Sequence, residues 1–261
     1  MGILEGKRIL VAGVTMDSSI GFAVARTAQE QGATVVISNF GRALGITRRI
    51  AGRLPEPAPV IELDVSDDEH LATLGDRLRE HVDGLDGLVH SIAYGNPETV
   101  LGGGFLGAPW ADVAQAVQVS GYSLAAVTEA VLPMLSRGSS VVGMTFDATV
   151  AWPAYNWMGV AKASLESTAR YLARDLGEQG IRVNCIAPGQ VWTPMAAAHM
   201  SPARRAERER SGLIQTEGTA WDIGWAAVFL ASDESRWVTG QVLVIDAGVT
   251  LTVRGGTAER E

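Results

Sequence analysis

The 261 residues are 47% apolar and 19% charged, which suits one large α/β domain with a substantial core and excludes wholesale disorder. A formal charge of −8 argues against a nucleic-acid partner, and the one arginine-dense run, 204–210, mixes signs as a solvated helix face does. A single cysteine, Cys185, excludes an intrachain disulfide scaffold and points to a cytoplasmic protein; the first residues are too short and polar for a secretory signal, and no apolar run is long enough to cross a membrane.

Strand and helix patterns alternate along the chain. Arg8–Ala12 reads as a first buried strand and Ser19–Gln31 as the helix after it. Thr34–Ser38 is a second strand, ended by Asn39 and Gly41, and 42–54 is helical up to Pro55. Val60–Leu63 is a third strand, followed by Asp64, Val65 and a helix predicted from about Asp67 to Val82. Gly87–Ser91 is a fourth strand; a Gly- and Pro-bearing stretch, 93–108, then leads into a long helix over 109–135. Ser139–Met144 is a fifth strand, and a second long helix is predicted over 154–179, with Pro153 suited to its start. Arg182–Ile186 is a sixth strand. An excursion, 187–218, holds a short helix from Pro202 capped by Ser201. A helix over 219–232 and a last strand, Gln241–Ile245, complete the pattern. Continuous apolar strands between helices predict a parallel sheet covered on both faces. Seven of them predict an α/β fold of Rossmann type, a single domain with a doubly wound parallel sheet over residues 1–253, and a loose polar tail over 254–261.

The chemistry gathers where strands end. Ala12–Gly21 joins a strand, a glycine turn and a helix start, an anion site by virtue of free amides and the helix dipole, although the Gly-x-Gly-x-x-Gly fingerprint is missing. Ser19 is a candidate hydroxyl for a pyrophosphate; a turn capped by Asp17 or Ser18 explains the same residues. After the second strand, Ser38-Asn-Phe40-Gly-Arg42 carries no carboxylate to hold a ribose, so NADH and NADPH both remain open. Phe40 suits an adenine face, and Arg42 either a phosphate or the start of a surface helix. Asp64 and Val65 suit adenine or a helix start, and Ser91-Ile92-Ala93 would let the backbone approach a ribose. The four histidines lack metal-ligand spacing, no metal site is expected, and no nucleophile elbow stands in a strand-to-helix turn.

The most informative segment is Tyr155-Asn-Trp-Met158-Gly-Val-Ala-Lys162. Of 21 Lys and Arg residues only Lys7 and Lys162 are lysines, which favours a specific role for the internal one. Seven residues are about two helical turns, so the spacing predicts phenol and ammonium on one face. Such a pair suits hydrogen bonding to a developing oxyanion. A tyrosine four residues before the lysine would suit carbonyl reduction; Met158 fills that position, and a thioether donates no proton. The longer spacing points to reduction of a carbon–carbon double bond. An aromatic and a snorkelling lysine on an amphipathic helix is the plainer explanation.

In Gly6-Lys-Arg-Ile-Leu-Val, Asp17-Ser-Ser-Ile20, Leu63-Asp-Val65, Val89-His-Ser-Ile92, Phe146-Asp147 and Pro153-Ala-Tyr-Asn-Trp-Met158 the chain resembles the enoyl-acyl-carrier-protein reductases. These are a divergent branch of the short-chain dehydrogenase/reductases, and the likeness is nearest to their mycobacterial long-chain members. It is close over about 3–195; after Thr193, segments such as Thr239–Asp246 look more like ordinary short-chain reductases. The resemblance implies Tyr155 as the hydroxyl that stabilises an enolate, Lys162 as the ribose ligand and Phe146 as the aromatic between nicotinamide and substrate. It implies Gly13, Val14, Ser19, Ile20, Phe40, Asp64, Val65, Ser91, Ile92, Ala93, Val119, Met144, Pro188, Gly189, Val191 and Thr193 along the dinucleotide. Met158, Trp192 and Met195 join Phe146 and Tyr155 around the substrate, and 194–218 is the substrate-enclosing excursion, with Trp152 also at the pocket. The implied cofactor is NADH, with NADPH left open. The implied substrate is a 2-enoyl thioester on acyl-carrier protein or coenzyme A, and the implied assembly a homotetramer formed through the two long helices and the last strand. Two other readings fit the residues: a reductase of specialised metabolism acting on a different unsaturated or carbonyl group, and a nicotinamide-binding protein without turnover.

Overall fold

The structure is a computed structural model, and it describes residues 2–102, 104–152, 155–189, 191–192, 201, 205–206 and 210–251. Strands β1 (Arg8–Ala12), β2 (Thr34–Asn39), β3 (Val60–Glu62), β4 (Leu85–His90), β5 (Leu135–Met144), β6 (Arg182–Pro188) and, last in the chain, Val242–Ile245 form one parallel sheet. Two short strands, β7 (Val191–Trp192) and β8 (Gly218–Thr219), precede that last strand, β9. The sheet order is β3-β2-β1-β4-β5-β6-β9. The order reverses between β1 and β4, so a crevice opens at their carboxyl ends, where an α/β sheet of this kind binds ligands.

Alternation along β1 explains the two layers. Ile9 and Val11 face one core with α1 (Ile20–Glu30) and the last helix, α8 (Ala220–Ala231). Leu10 and Ala12 face the other, with α6 (Ser123–Val131) and α7 (Asn156–Leu176). This is the doubly wound α/β arrangement expected, with most strand bounds within two residues of those read from the pattern.

Helices depart more. The helix expected over 67–82 is two, α3 (Asp68–Ala72) and α4 (Leu74–Arg79). At the break, Thr73 Oγ1 donates back to Glu69 O at 2.8 Å, a local bond that competes with helix continuation. The helix expected over 109–135 is α5 (Trp110–Val117), a π-turn at Gln118–Tyr122, and α6, which gives way to a 3₁₀ turn at Pro133. A Cβ on Gly121 would stand 2.9 Å from Ala161 O, so the π-turn brings α7 closer than any larger residue allows.

The pairing of β7 with β8 ties the two ends of the excursion together through Val191↔Gly218, which the pattern did not suggest. Most of the helix expected from Pro202, with Thr193 and Met195, lies outside the described residues, and of Trp192 only the backbone is described. Arg205, in the charged run, pairs with Glu217.

Candidate active site

The crevice begins at Gly13. With φ +93° it takes a conformation that favours glycine, and a Cβ there would stand 2.3 Å from Ser91 O. Gly13 N and Val14 N both donate to Ser38 O at 3.0 Å, and Ser91 N donates to Ala12 O at 2.8 Å, so three strand ends are laced by backbone bonds. Ser19 is itself the cap of α1: its Oγ accepts from Phe22 N at 3.3 Å and donates to Met16 O at 2.6 Å. Its one proton is therefore spent inside the turn, with Ile20 half-buried beside it.

Asn39 turns inward. Its Nδ2 donates to Val14 O at 2.8 Å and to Thr47 Oγ1 at 3.1 Å, leaving exposed Phe40 and Arg42 at the surface beyond β2. Asp64 accepts from Ser66 N at 2.9 Å, and its own N–H donates to His70 Nδ1 at 3.0 Å; Val65 is buried beside it.

Lys162 rises from α7 to the far side of the crevice. It is only 5% exposed, and its Nζ donates to Met144 O at 2.8 Å and Ile92 O at 3.4 Å, the carbonyls that end β5 and follow β4. Burial lowers its pKa to about 8. Deeper still, burial and the Lys162 charge push His90 down to about 3, so its ring is neutral. Ser123 Oγ donates to Val119 O at 2.7 Å, so His90 Nε2 must be the donor in its 2.8 Å contact with that hydroxyl. His90 Nδ1 then carries no proton and meets no polar partner among the described residues. Burial raises the Glu166 carboxyl, to which Thr145 Oγ1 donates at 3.2 Å, and pushes the Cys185 thiol up to about 12.

Tyr155 is not inside the helix as the spacing predicts. It is the residue before α7, which opens at Asn156 with φ +36°. Its ring lies flat on Phe146, with centroids 3.5 Å apart and planes 7° from parallel, and Trp152 meets Phe146 edge-on at 5.6 Å. Met158 is buried with Val100, Ala116 and Ala161 beneath this group. Val119, in the π-turn, and Val191 are buried, and Gly189 N donates to Ile245 O at 2.7 Å next to Pro188. The strand ends and α7 thus bring most of the expected residues to one edge of the sheet.

A family model described as enoyl-(acyl carrier protein) reductase matches residues 13–250. The chain belongs to the enoyl-acyl-carrier-protein reductase family. Its relatives include the NADH-type enoyl-acyl-carrier-protein reductases of Mycolicibacterium smegmatis, 42% identical over 95% of this chain and 98% of theirs, and of Mycobacterium avium, 41% identical over the same shares. The enzyme of that type from Bacillus subtilis is 36% identical over 96% of this chain and 98% of its own. The family match and these alignments extend past Thr193.

For this enoyl reductase family member, several polar contacts at the site escaped the sequence. His70 supports Asp64 through its N–H. Ser120 Oγ both accepts from Tyr94 N and donates to Tyr94 O, at 2.9 Å each, and so pins the segment after β4 to the π-turn. Asp147 accepts from Thr149 and Trp152. Only the Asp-x-Thr spacing of 147–149 left a local signal, that of an Asx-type turn. Among the described residues no cluster of His, Cys, Asp or Glu is placed to hold a metal, and no helix is long and apolar enough to cross a membrane.

Proposed function

We propose that the protein reduces the double bond of 2-enoyl thioesters carried on acyl-carrier protein or coenzyme A, with NADH as cofactor, in the cytoplasm. One observation carries the reading: a buried lysine, 5% exposed, donates to the Met144 and Ile92 carbonyls at the carboxyl edge of β4 and β5, and the chain leaving β5 carries Phe146, stacked on Tyr155. The crevice suits a dinucleotide. Backbone approaches backbone at Gly13 more closely than a Cβ permits, and α1 begins just beyond with its amides towards that turn. The relatives' NADH type agrees with this. NADH, when bound, supplies a hydride to the β-carbon.

The chain's own groups do the rest. Gly13, Val14, Ser19 and Ile20 flank the pyrophosphate, Phe40, Asp64 and Val65 the adenosine, and Ser91, Ile92, Ala93, Val119, Met144, Pro188, Gly189 and Val191 the nicotinamide half. Lys162 exchanges a carbonyl partner for ribose hydroxyls and keeps a positive charge near the phenol. Tyr155 donates a hydrogen bond to the thioester oxygen as it becomes an enolate, a charge stabilised in a water-poor site. The α-carbon then takes a proton from a solvent water, whose oxygen keeps the electron pair and leaves as hydroxide. Phe146 lies against the reacting face, and Met158, which has no proton to give, shapes the floor.

A homotetramer belongs to the same reading. On α8, Trp221, Trp225 and Phe229 are 37%, 41% and 39% exposed at four-residue spacing, an aromatic stripe near the edge strand β9 that suits a second copy. A monomeric sedimentation coefficient would remove that face from the reading.

The decisive assay is NADH oxidation with enoyl thioesters. Lys162→Ala is expected to weaken NADH binding at least tenfold, and Tyr155→Phe to lower kcat at least a hundredfold with NADH binding kept. If no enoyl thioester of any length oxidises NADH, the reading fails.

A further inference from the structure

Asp147 ties together the chain that follows β5. Asp147, 7% exposed, accepts from Thr149 N at 3.1 Å and Thr149 Oγ1 at 2.5 Å on Oδ1, and from Trp152 Nε1 at 3.2 Å on Oδ2. The indole it holds meets Phe146 edge-on, at 5.6 Å and 62°, a favoured aromatic geometry. Phe146 meets Tyr155 differently, with centroids 3.5 Å apart and planes 7° from parallel. Rings avoid that face-to-face sandwich in favour of offset or edge contacts, because like-signed faces of the quadrupoles oppose each other. The contact of Phe146 with the phenol is the less favoured of the two. The three-ring stack therefore has a firm joint at Trp152 and a weak one at Tyr155.

A thioester oxygen that hydrogen-bonds Tyr155 brings its acyl carbons against the ring that Phe146 covers. Phe146 must give way, and the indole limits how far. We infer that Trp152, held by Asp147, is a specificity-determining residue: it restricts the space beside the double bond and selects straight-chain enoyl thioesters over those branched at the α-carbon. This rests on the reductase reading and adds to it the shape of the substrate that Tyr155 admits.

The test compares but-2-enoyl-CoA with its 2-methyl analogue in the full-length protein. Wild type is expected to prefer the straight chain by at least tenfold in kcat/KM, the scale on which one methyl group is discriminated in an apolar pocket. Trp152→Ala is expected to narrow that ratio at least tenfold, with the Kd for NADH unchanged. Trp152→Phe, which keeps a ring and loses the bond to Asp147, is expected to fall between them. Should the alanine variant fail to fold, as read from its melting transition, Trp152→Leu carries the same criterion. Equal use of both thioesters by wild type, or variants that lose activity on both in proportion, overturns the inference while the reductase reading stands. A wild type that reduces neither overturns both.

Discussion

The two halves of the site are built by different means. The crevice between β1 and β4 is laced by main-chain bonds, with Gly13, Val14 and Ala12 exchanging partners with Ser38 and Ser91 at 2.8–3.0 Å. The half around Tyr155 rests largely on side chains: stacked rings, Asp147, which accepts from Thr149 and Trp152, and Glu166, which accepts from Thr145. Main-chain contacts constrain every residue that enters them, whereas ring contacts exchange one side chain for another. The first half suits a ligand that does not vary, and the second suits one that does.

The largest expected effect tests the rigid half. Gly13→Ala forces a Cβ to 2.3 Å from Ser91 O at φ +93°, and neither strand end can withdraw without breaking the lacing. The expected cost is about 3 kcal/mol or more, together with loss of NADH binding. Urea unfolding and a fluorescence titration measure the two. A variant that keeps both within twofold would mean that the crevice adjusts as readily as the ring half, and the contrast would disappear.

The next effect is electrostatic. Burial holds Lys162 at about 8, whereas an unfolded lysine titrates near ~10.4. Between these values the unfolded chain binds a proton that the folded chain does not, so stability rises with pH across the window. Below about 8 the cost of burying the charge is present in full, on the order of 3 kcal/mol. Cys185, pushed up to about 12, works in the opposite sense at alkaline pH, so the informative quantity is wild type minus Lys162→Met. That variant is expected to be more stable at pH 7, with the gap closing by pH 10, and to bind NADH poorly. Equal stability of the two proteins at pH 7 would show that the buried ammonium costs nothing, and that Met144 and Ile92 carbonyls solvate it fully.

These two halves were not equally legible. β1 and β2 could be read because unbroken apolar runs, Ile9-Leu-Val-Ala12 and Val35-Val-Ile37, begin and end at polar residues or glycine, a local signal. Lys162 stood out as one of two lysines. The helix break at Thr73 and the π-turn at Gln118–Tyr122 could not be read from apolar spacing. One depends on a hydroxyl folding back on its own helix, the other on the approach of α7 to Gly121. Tyr155 was legible as a residue but not in position, because the helix opens at Asn156, with its positive φ, two residues later than the pattern implies. The orientation of Trp152 depends on a bond to Asp147 that no periodicity encodes.

The smallest effect has the opposite sign and lies at the turn after β9. After β9 the chain turns through Ala247 at φ +56° and Gly248 at φ +82°. The turn is determined from several sides. Asp246 accepts from Gly248 N at 2.9 Å and Thr250 N at 2.8 Å, and Ala247 O accepts from Leu213 N at 2.8 Å and Ile214 N at 3.2 Å. These last two bonds hold the returning end of the excursion. A left-handed alanine costs about 1–2 kcal/mol, while glycine adds about 0.5–1 kcal/mol of backbone entropy to lose on folding. Ala247→Gly is therefore expected to stabilise the protein by about 0.5–1 kcal/mol, a rise in Tm of about 2 °C in a chain of this size. The crevice places glycine where positive φ is required; the turn after β9 carries strain at Ala247 instead. If Ala247→Gly lowers Tm instead, the alanine side chain contributes packing that outweighs its strain, and the base of the excursion is as closely constrained as the crevice across the sheet.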